Sequence, residues 1–174
     1  MKAFHLSIHA NVGAKEVPFL RRHLRAANAL LPHSLKDVSI VLVNDETMSS
    51  LHQKFTHIAG PTDVLTFPMD ETKQSGEVVI CVPEARRRAK EQHSSLRNEL
   101  LLYAIHGMLH LCGMDDRTQK GFERMHRMED EILTRLGIGP VFKTCGLKPA
   151  RRRAGRGTLW VAHVSPHVPQ KRRS

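Results

Sequence analysis

The order in which strand-like and helix-like hydrophobic patterns follow one another sets the fold class of this chain. Phe4, Leu6 and Ile8 alternate with other side chains, a period of two that is typical of a half-buried strand. Apolar residues then recur at helical spacing after Pro18, and a proline in the first turn of a helix removes no hydrogen bond. The β-branched run at 38–43 predicts a second, buried strand.

The alternation continues along the chain. Asn44-Asp45-Glu46 predicts the start of a helix that runs to about Phe55, because an Asn or Asp side chain caps the free N–H groups of a helix start. Two further strands, at 64–67 and 78–82, are separated by a short polar loop and predict a hairpin. More helices are predicted from Pro83, from Ser94-Ser95 and over 122–136. These patterns predict an α/β (α+β) domain with a mixed sheet of about four strands packed against about five helices.

The positive charge of the chain is concentrated at its C-terminal end. Nine of the 27 Lys and Arg residues lie in residues 140–174, which contain no Asp or Glu, so the rest of the chain is nearly balanced. We therefore expect a folded domain over 1–139 and a basic, disordered tail over 140–174. Two interpretations of the tail remain open, a solvated extension and an RNA-attracting arm that gains affinity by counterion release.

The sequence also indicates a compartment. It contains no apolar run of the ~7 to 15 residues that a signal peptide needs and none approaching the ~18 residues of a membrane span. Three cysteines, at 81, 112 and 145, are an odd number without paired spacing. We expect a cytoplasmic protein with no membrane partner; the oligomeric state is left open.

The segment HGMLHLCGMDD, residues 106–116, is the strongest candidate site. His106 and His110 are four residues apart, so on a helix both imidazoles project from one face. The same spacing occurs at 5/9 and at 163/167, so the pair alone is weak evidence. What distinguishes this pair is Gly113, which allows the chain to reverse and return Asp116 toward the two histidines.

Two imidazoles and one carboxylate form a ligand set that catalytic zinc uses, which predicts one zinc per chain and an open position for water. Asp115 is an alternative third ligand. The competing interpretation is that both histidines are ordinary polar residues at a helix end and that Asp115-Asp116 caps the next helix. Cys112 is predicted to be a small core residue and not a ligand.

The position after the first histidine disfavours one class of metal hydrolase. Zinc peptidases with an HExxH motif place their general base there, whereas this chain has Gly107. A base must come from elsewhere, and Glu99, two turns upstream on the same predicted helix, is the nearest candidate. The alternative for Glu99 is an exposed carboxylate or one that orients the helix.

Three blocks in order give the chain a resemblance to a known family. They are PTDVLTFP at 61–68, GEVVI at 76–80 and HGMLHLCGMDD at 106–116, and together they resemble the YbeY family of single-strand-specific metallo-endoribonucleases over about residues 4–137. The resemblance implies a zinc-dependent nuclease that hydrolyses RNA phosphodiester bonds in the cytoplasm. It also implies roles in rRNA processing, including maturation of the 16S 3′ end, and in ribosome quality control, with single-stranded or ribosomal RNA and the small ribosomal subunit as partners.

The chain departs from the family pattern at two positions. Asp116 stands where the family usually has a third His, and a carboxylate still binds zinc at ~2.0 to 2.2 Å. Thr56 stands where the family usually has an Arg suited to phosphate, which leaves Lys54 and His57 as substitutes for it. Asp63 is expected to shape the cleft wall and help bind substrate.

These departures keep two further functions open. One is a ribosome-associated assembly factor with a structural zinc and little catalysis, suggested by Thr56 and the basic tail. The other is a metallopeptidase-like hydrolase, which Gly107 disfavours.

Overall fold

The predicted mixed sheet and helices are present in a computed structural model, which describes residues 4–70, 72, 74–140, 160 and 161. The strands are β1 His5–Ala10, β2 Asp37–Val43, β3 Val64–Pro68, β4 Ser75–Cys81 and the two-residue β5 Trp160–Val161. The helices are α1 Val17–Asn28, α2 Asp45–Thr56, α3 Val82–Glu91, α4 Leu96–Leu111 and α5 Gln119–Arg135, with a short 3-10 turn at Ala14–Glu16. The fold prediction is confirmed. Apart from β5 and residue 140, the predicted tail and its disorder lie outside the described residues.

The sheet has the order β1-β2-β4-β3-β5. Strands β1, β2 and β4 are parallel neighbours, with Ile40 of β2 opposite both Ile8 and Val78. Strand β3 is antiparallel to β4, which confirms the predicted hairpin, and β5 pairs in parallel with β3. The sheet is therefore mixed.

Predicted side-chain caps begin two of the helices. The Asn44 side chain accepts a hydrogen bond from the Thr47 N–H at 2.9 Å, and the Ser95 hydroxyl accepts one from Asn98 at 3.3 Å. Each cap satisfies a backbone donor that the helix itself leaves free. These local contacts explain why the starts of α2 and α4 were readable from the sequence.

Helix α4 lies at the centre of the domain. The sequence pattern predicted one apolar stripe on it, through residues 96, 100, 103 and 108, but the structure buries every residue from 99 to 111. Helices α1, α3 and α5 and strands β3 and β4 all pack against it. The stripe prediction was therefore incomplete, because a helix that is apolar on all sides is enclosed by its neighbours and has no solvent face.

The two faces of the sheet are covered unequally. Val78 and Ile80 of β4 join the main core formed with α1, α4 and α5. Val79 points to the opposite face, where α2 packs through Met48 in a smaller cluster. Residues of α4 and of α2 are consequently separated by the thickness of the sheet.

None of the helices within the described ranges is both long enough and apolar enough to cross a membrane.

Candidate metal centre

The last turns of α4 carry the two predicted histidine ligands. His106 and His110 are 2% and 8% exposed, and their Nε2 atoms lie 2.8 Å apart. The four-residue spacing places both rings on one face of the helix, as predicted from the sequence. Two ring nitrogens thus meet in a nearly buried position.

A glycine turn at the end of α4 returns the chain to these histidines. Gly113 has a φ of 83°, and its N–H donates to the His110 carbonyl at 2.8 Å while Met114 N–H donates to Leu109 at 3.1 Å. This pair of bonds is the Schellman ending of a helix, which requires a left-handed residue. Beyond the turn, Asp116 Oδ2 lies 3.8 Å from His106 Nε2, and Asp116 Oδ1 lies 3.8 Å from His110 Nε2. Ligand atoms of all three side chains lie within 4.8 Å of one another.

The outer nitrogen of each imidazole has an oxygen acceptor. His106 Nδ1 lies 2.5 Å from Glu129 Oε1, and His110 Nδ1 lies 2.9 Å from the Met114 carbonyl oxygen. Carboxylate and carbonyl oxygens only accept, so both Nδ1 atoms act as donors. In the neutral tautomers, each Nε2 then presents a lone pair toward Asp116. Two lone pairs and a carboxylate so close together could hold one metal ion.

Electrostatics at this point also favour a cation. Burial opposes a charged His106, but its hydrogen bond to Glu129 and the negative charges of Glu129, Asp116 and Asp63 raise the pKa of His106 overall. Burial and the neighbouring His106 lower the pKa of His110 to about 4. The surrounding carboxylates thus favour a positive charge at this cluster, while burial opposes one.

Asp115, the alternative third ligand, points away from the cluster. Its carboxylate pairs with the Arg117 guanidinium at 2.6 to 3.0 Å, and these bonds lower the pKa of Asp115 to about 2. Asp116 is thus the carboxylate that the structure brings to the histidines. Cys112 is half-buried and its thiol donates to the His33 carbonyl at 3.4 Å, so it lies outside the ligand set.

The structure does not bring the predicted base into the cluster. Glu99 lies seven residues before His106, about 10 Å along a helix. It is 3% exposed, burial raises its pKa, and its side chain interacts with Ser94. A role as general base stays a prediction.

Three predicted substrate contacts lie outside the ligand set, although Asp63 is near enough to His106 for their charges to interact. Asp63 is 5% exposed, and its Oδ1 accepts from the Thr62 hydroxyl at 3.1 Å and from Val64 N–H at 3.0 Å, so this carboxylate serves the start of β3. Burial raises its pKa. Lys54 lies in the last turn of α2 and His57 directly follows this helix, which packs through Met48 on the face of the sheet opposite α4. Their substrate-binding roles remain predictions.

Thr56, which stands where the resemblance led us to expect an Arg, forms hydrogen bonds with the backbone of α2 and of the residues that follow it. Its hydroxyl donates to the His52 carbonyl at 2.7 Å and accepts from the Ile58 N–H at 3.3 Å. The side chain is too short to supply a planar, bidentate phosphate contact of the kind an arginine makes.

Sequence reasoning missed the two residues behind His106. Glu129 is completely buried and contacts both His106 and His126 through its carboxylate. A signal was present, because Glu129 interrupts the apolar stripe of α5 between Met125 and Ile132. A carboxylate at such a position needs a buried partner.

Gly107 has a packing role that explains why no glutamate follows the first histidine. A Cβ at this position would lie 2.5 Å and 2.8 Å from the two methyl carbons of Val78 and 3.0 Å from the Thr66 hydroxyl. Helix α4 therefore approaches β3 and β4 too closely for a side chain. An HExxH base cannot be accommodated here without moving the helix.

Comparisons with known proteins identify relatives of this chain. The family model described as Endoribonuclease YbeY matches residues 14–137. A protein named Endoribonuclease YbeY from Thermobifida fusca is 35% identical over 135 residues, covering 71% of this chain and 87% of that protein. One of the same name from Cutibacterium acnes is 38% identical over 120 residues, covering 62% and 77%. The solution structure of a Thermotoga maritima protein superposes with a TM-score of 0.57 at 27% identity, covering 82% of this chain and 99% of that one.

Proposed function

This chain belongs to the endoribonuclease YbeY family, and on that premise we propose that it is a zinc-dependent, single-strand-specific endoribonuclease of the cytoplasm. Its substrate in this proposal is ribosomal RNA, with roles in 16S rRNA 3′ end maturation and ribosome quality control. The observation that supports the metal dependence is the convergence of two imidazole Nε2 atoms and the Asp116 carboxylate within 4.8 Å. The proposal thus combines the family membership with the local chemistry.

His106, His110 and Asp116 would hold the zinc, which supplies Lewis-acid polarisation of a phosphodiester when bound. The protein's own contribution is to fix these ligands. The side chain of Asp116 is 14% exposed, whereas those of the two histidines are 3% and 4% exposed. RNA would therefore approach from the Asp116 side, and the histidines would form the closed floor of the site.

The decisive test is the loss of metal and cleavage in the same variant. Wild type should contain about one zinc and cleave single-stranded RNA, and His110→Ala should lose both. His9→Ala is a matched control, since His9 belongs to an exposed pair with the same spacing and should change neither. Cleavage by wild type from which all metal has been removed would contradict the proposal.

One specific observation favours a second function. Thr56 stands where an Arg would contact a phosphate, and its hydroxyl donates to the His52 carbonyl instead. In that case the chain is a ribosome-associated assembly factor whose zinc is structural. It would bind rRNA or the small subunit in a salt-sensitive way, and this binding would survive His110→Ala. Wild type that holds zinc and binds RNA without cutting it would select this second function.

A further inference from the structure

We infer that Glu129 and His126 are positioning residues for the metal centre, with Glu129 fixing the ring of His106 and His126 holding Glu129. This inference rests on the proposed function, because it concerns the metal site on which that function depends. It adds two residues of α5 to a site whose expected ligands all lie in 106–116.

The contacts form an unbroken chain from the metal cluster into α5. Glu129 Oε1 accepts from His106 Nδ1 at 2.5 Å, and Glu129 Oε2 lies 2.7 Å from His126 Nδ1. Glu129 is 0% exposed, while the side chain of His126 is 19% exposed and packs edge-on against Phe122 with ring centroids 4.0 Å apart. Each carboxylate oxygen therefore has an imidazole partner.

The burial of Glu129 needs an explanation of this kind. It replaces an apolar residue in the stripe between Met125 and Ile132, where a carboxylate without partners would be strongly destabilising. Both of its carboxylate oxygens have such a partner, because Oε1 lies 2.5 Å from His106 Nδ1 and Oε2 lies 2.7 Å from His126 Nδ1. Glu129 can thus accept a hydrogen bond from each ring.

A carboxylate acceptor at this position affects the ligand atom of His106 directly. Holding the proton on Nδ1 leaves the Nε2 lone pair directed at the cluster, and a carboxylate acceptor makes that nitrogen a stronger donor to metal. For His110, the Met114 backbone carbonyl takes the equivalent place. Of these two acceptors, only the Glu129 carboxylate can be removed by a side-chain substitution.

The first experiment measures zinc affinity of the full chain by competition with a chromophoric chelator. Glu129→Gln keeps the size of the side chain but removes its charge, and we expect zinc to bind about 10 to 100-fold more weakly. The visible spectrum of the Co²⁺-substituted protein should change as well, because the His106 ring is no longer fixed. Glu131→Gln is the matched control: it removes the same charge from an exposed residue of the same helix and should bind zinc as wild type does.

A second pair of variants separates positioning from folding. Glu129→Leu completes the apolar stripe, so it should keep the metal-free melting temperature close to that of wild type or above it and still weaken zinc binding. His126→Gln should weaken zinc binding less than Glu129→Gln does. Combining it with Glu129→Gln should cause no further loss, because His126 acts through Glu129.

Three outcomes would overturn the inference. These are zinc affinity of Glu129→Gln and Glu129→Leu within about twofold of wild type, an unchanged Co²⁺ spectrum in both, or additive losses from 126 and 129. Wild type that binds no zinc would refute the metal site itself and the inference with it. Normal zinc binding by wild type together with unaffected Glu129 variants would refute the inference alone.

Discussion

At the scale of single residues, the proposal of a metal site depends most on Asp116, because histidine pairs with the same spacing recur elsewhere in this chain. Asp116→Ala should lose zinc, and Asp116→His should keep it, since His is the usual third ligand of the resembled family. Metal analysis of the purified variants measures this directly.

Asp115→Ala is the control for that experiment. Asp115 pairs with Arg117 and not with the histidines, so its removal should leave the zinc content near wild type. If Asp116→Ala retains zinc while Asp115→Ala loses it, the assignment of the third ligand is wrong.

Gly107 makes a second prediction at this scale. Gly107→Ala places a Cβ against the Val78 methyl groups at 2.5 to 2.8 Å, and such overpacking costs about 1 to 3 kcal/mol. The free energy of unfolding in urea should fall accordingly. The double variant with Val78→Ala should be destabilised by less than the sum of the two single changes, because the smaller side chain relieves the clash. Strictly additive changes in the free energy of unfolding would show that the contact between residues 107 and 78 does not cause the destabilisation.

At the scale of elements, the turn between α4 and α5 decides whether a third ligand exists. Gly113 adopts a φ of 83°, a conformation that costs a side chain with a Cβ about 1 to 2 kcal/mol, and costs a β-branched one most. Gly113→Val should therefore lower both the free energy of unfolding and the zinc affinity. Gly113→Asn should be much milder, since Asn tolerates the left-handed region. If Gly113→Val and Gly113→Asn lowered the zinc affinity equally, the left-handed turn would not be what positions the third ligand.

Helix α4 shows how an element can combine the core and the site. It is buried from residue 99 to 111, so its histidines have no freedom to swing into solvent. Its close approach to the sheet through Gly107 and its turn at Gly113 set the depth and the opening of the cluster. Helix α5 closes the other side by presenting Glu129.

At the scale of the whole molecule, the metal should contribute to stability. A ligand that binds only the folded state adds about 2.7 kcal/mol at a free concentration 100-fold above its Kd. Chelation should lower the melting temperature of wild type, and added zinc should restore it. His110→Ala should show no shift with either treatment, and a zinc-dependent shift in that variant would place the stabilising metal elsewhere.

The uneven distribution of charge gives the last prediction. Nine basic residues and no acidic ones lie in 140–174, so deleting this segment should weaken binding to single-stranded RNA and reduce its dependence on salt. Each lost phosphate contact should lower the slope of log K against log salt by about 0.7. If the slope of log K against log salt stayed unchanged over several salt concentrations, the tail would be a solvated extension that does not contact RNA.

Much of the fold was predictable because it is encoded in local patterns. Alternation in β1, the capping residues Asn44 and Ser95 and the polar loop before β4 each act over a few residues. The encirclement of α4 was not predictable, since it depends on which elements pack around it.

The sequence by itself determined the ligand types, their spacing and the turn that returns Asp116, because helix periodicity and the conformational freedom of glycine are local properties. Only the tertiary structure decided which groups from distant parts of the chain contact the candidate ligands. Glu129 reaches His106 across 23 residues, and Val78 leaves room for nothing larger than Gly107. Such contacts are set by the packing of distant segments, which no short-range pattern encodes.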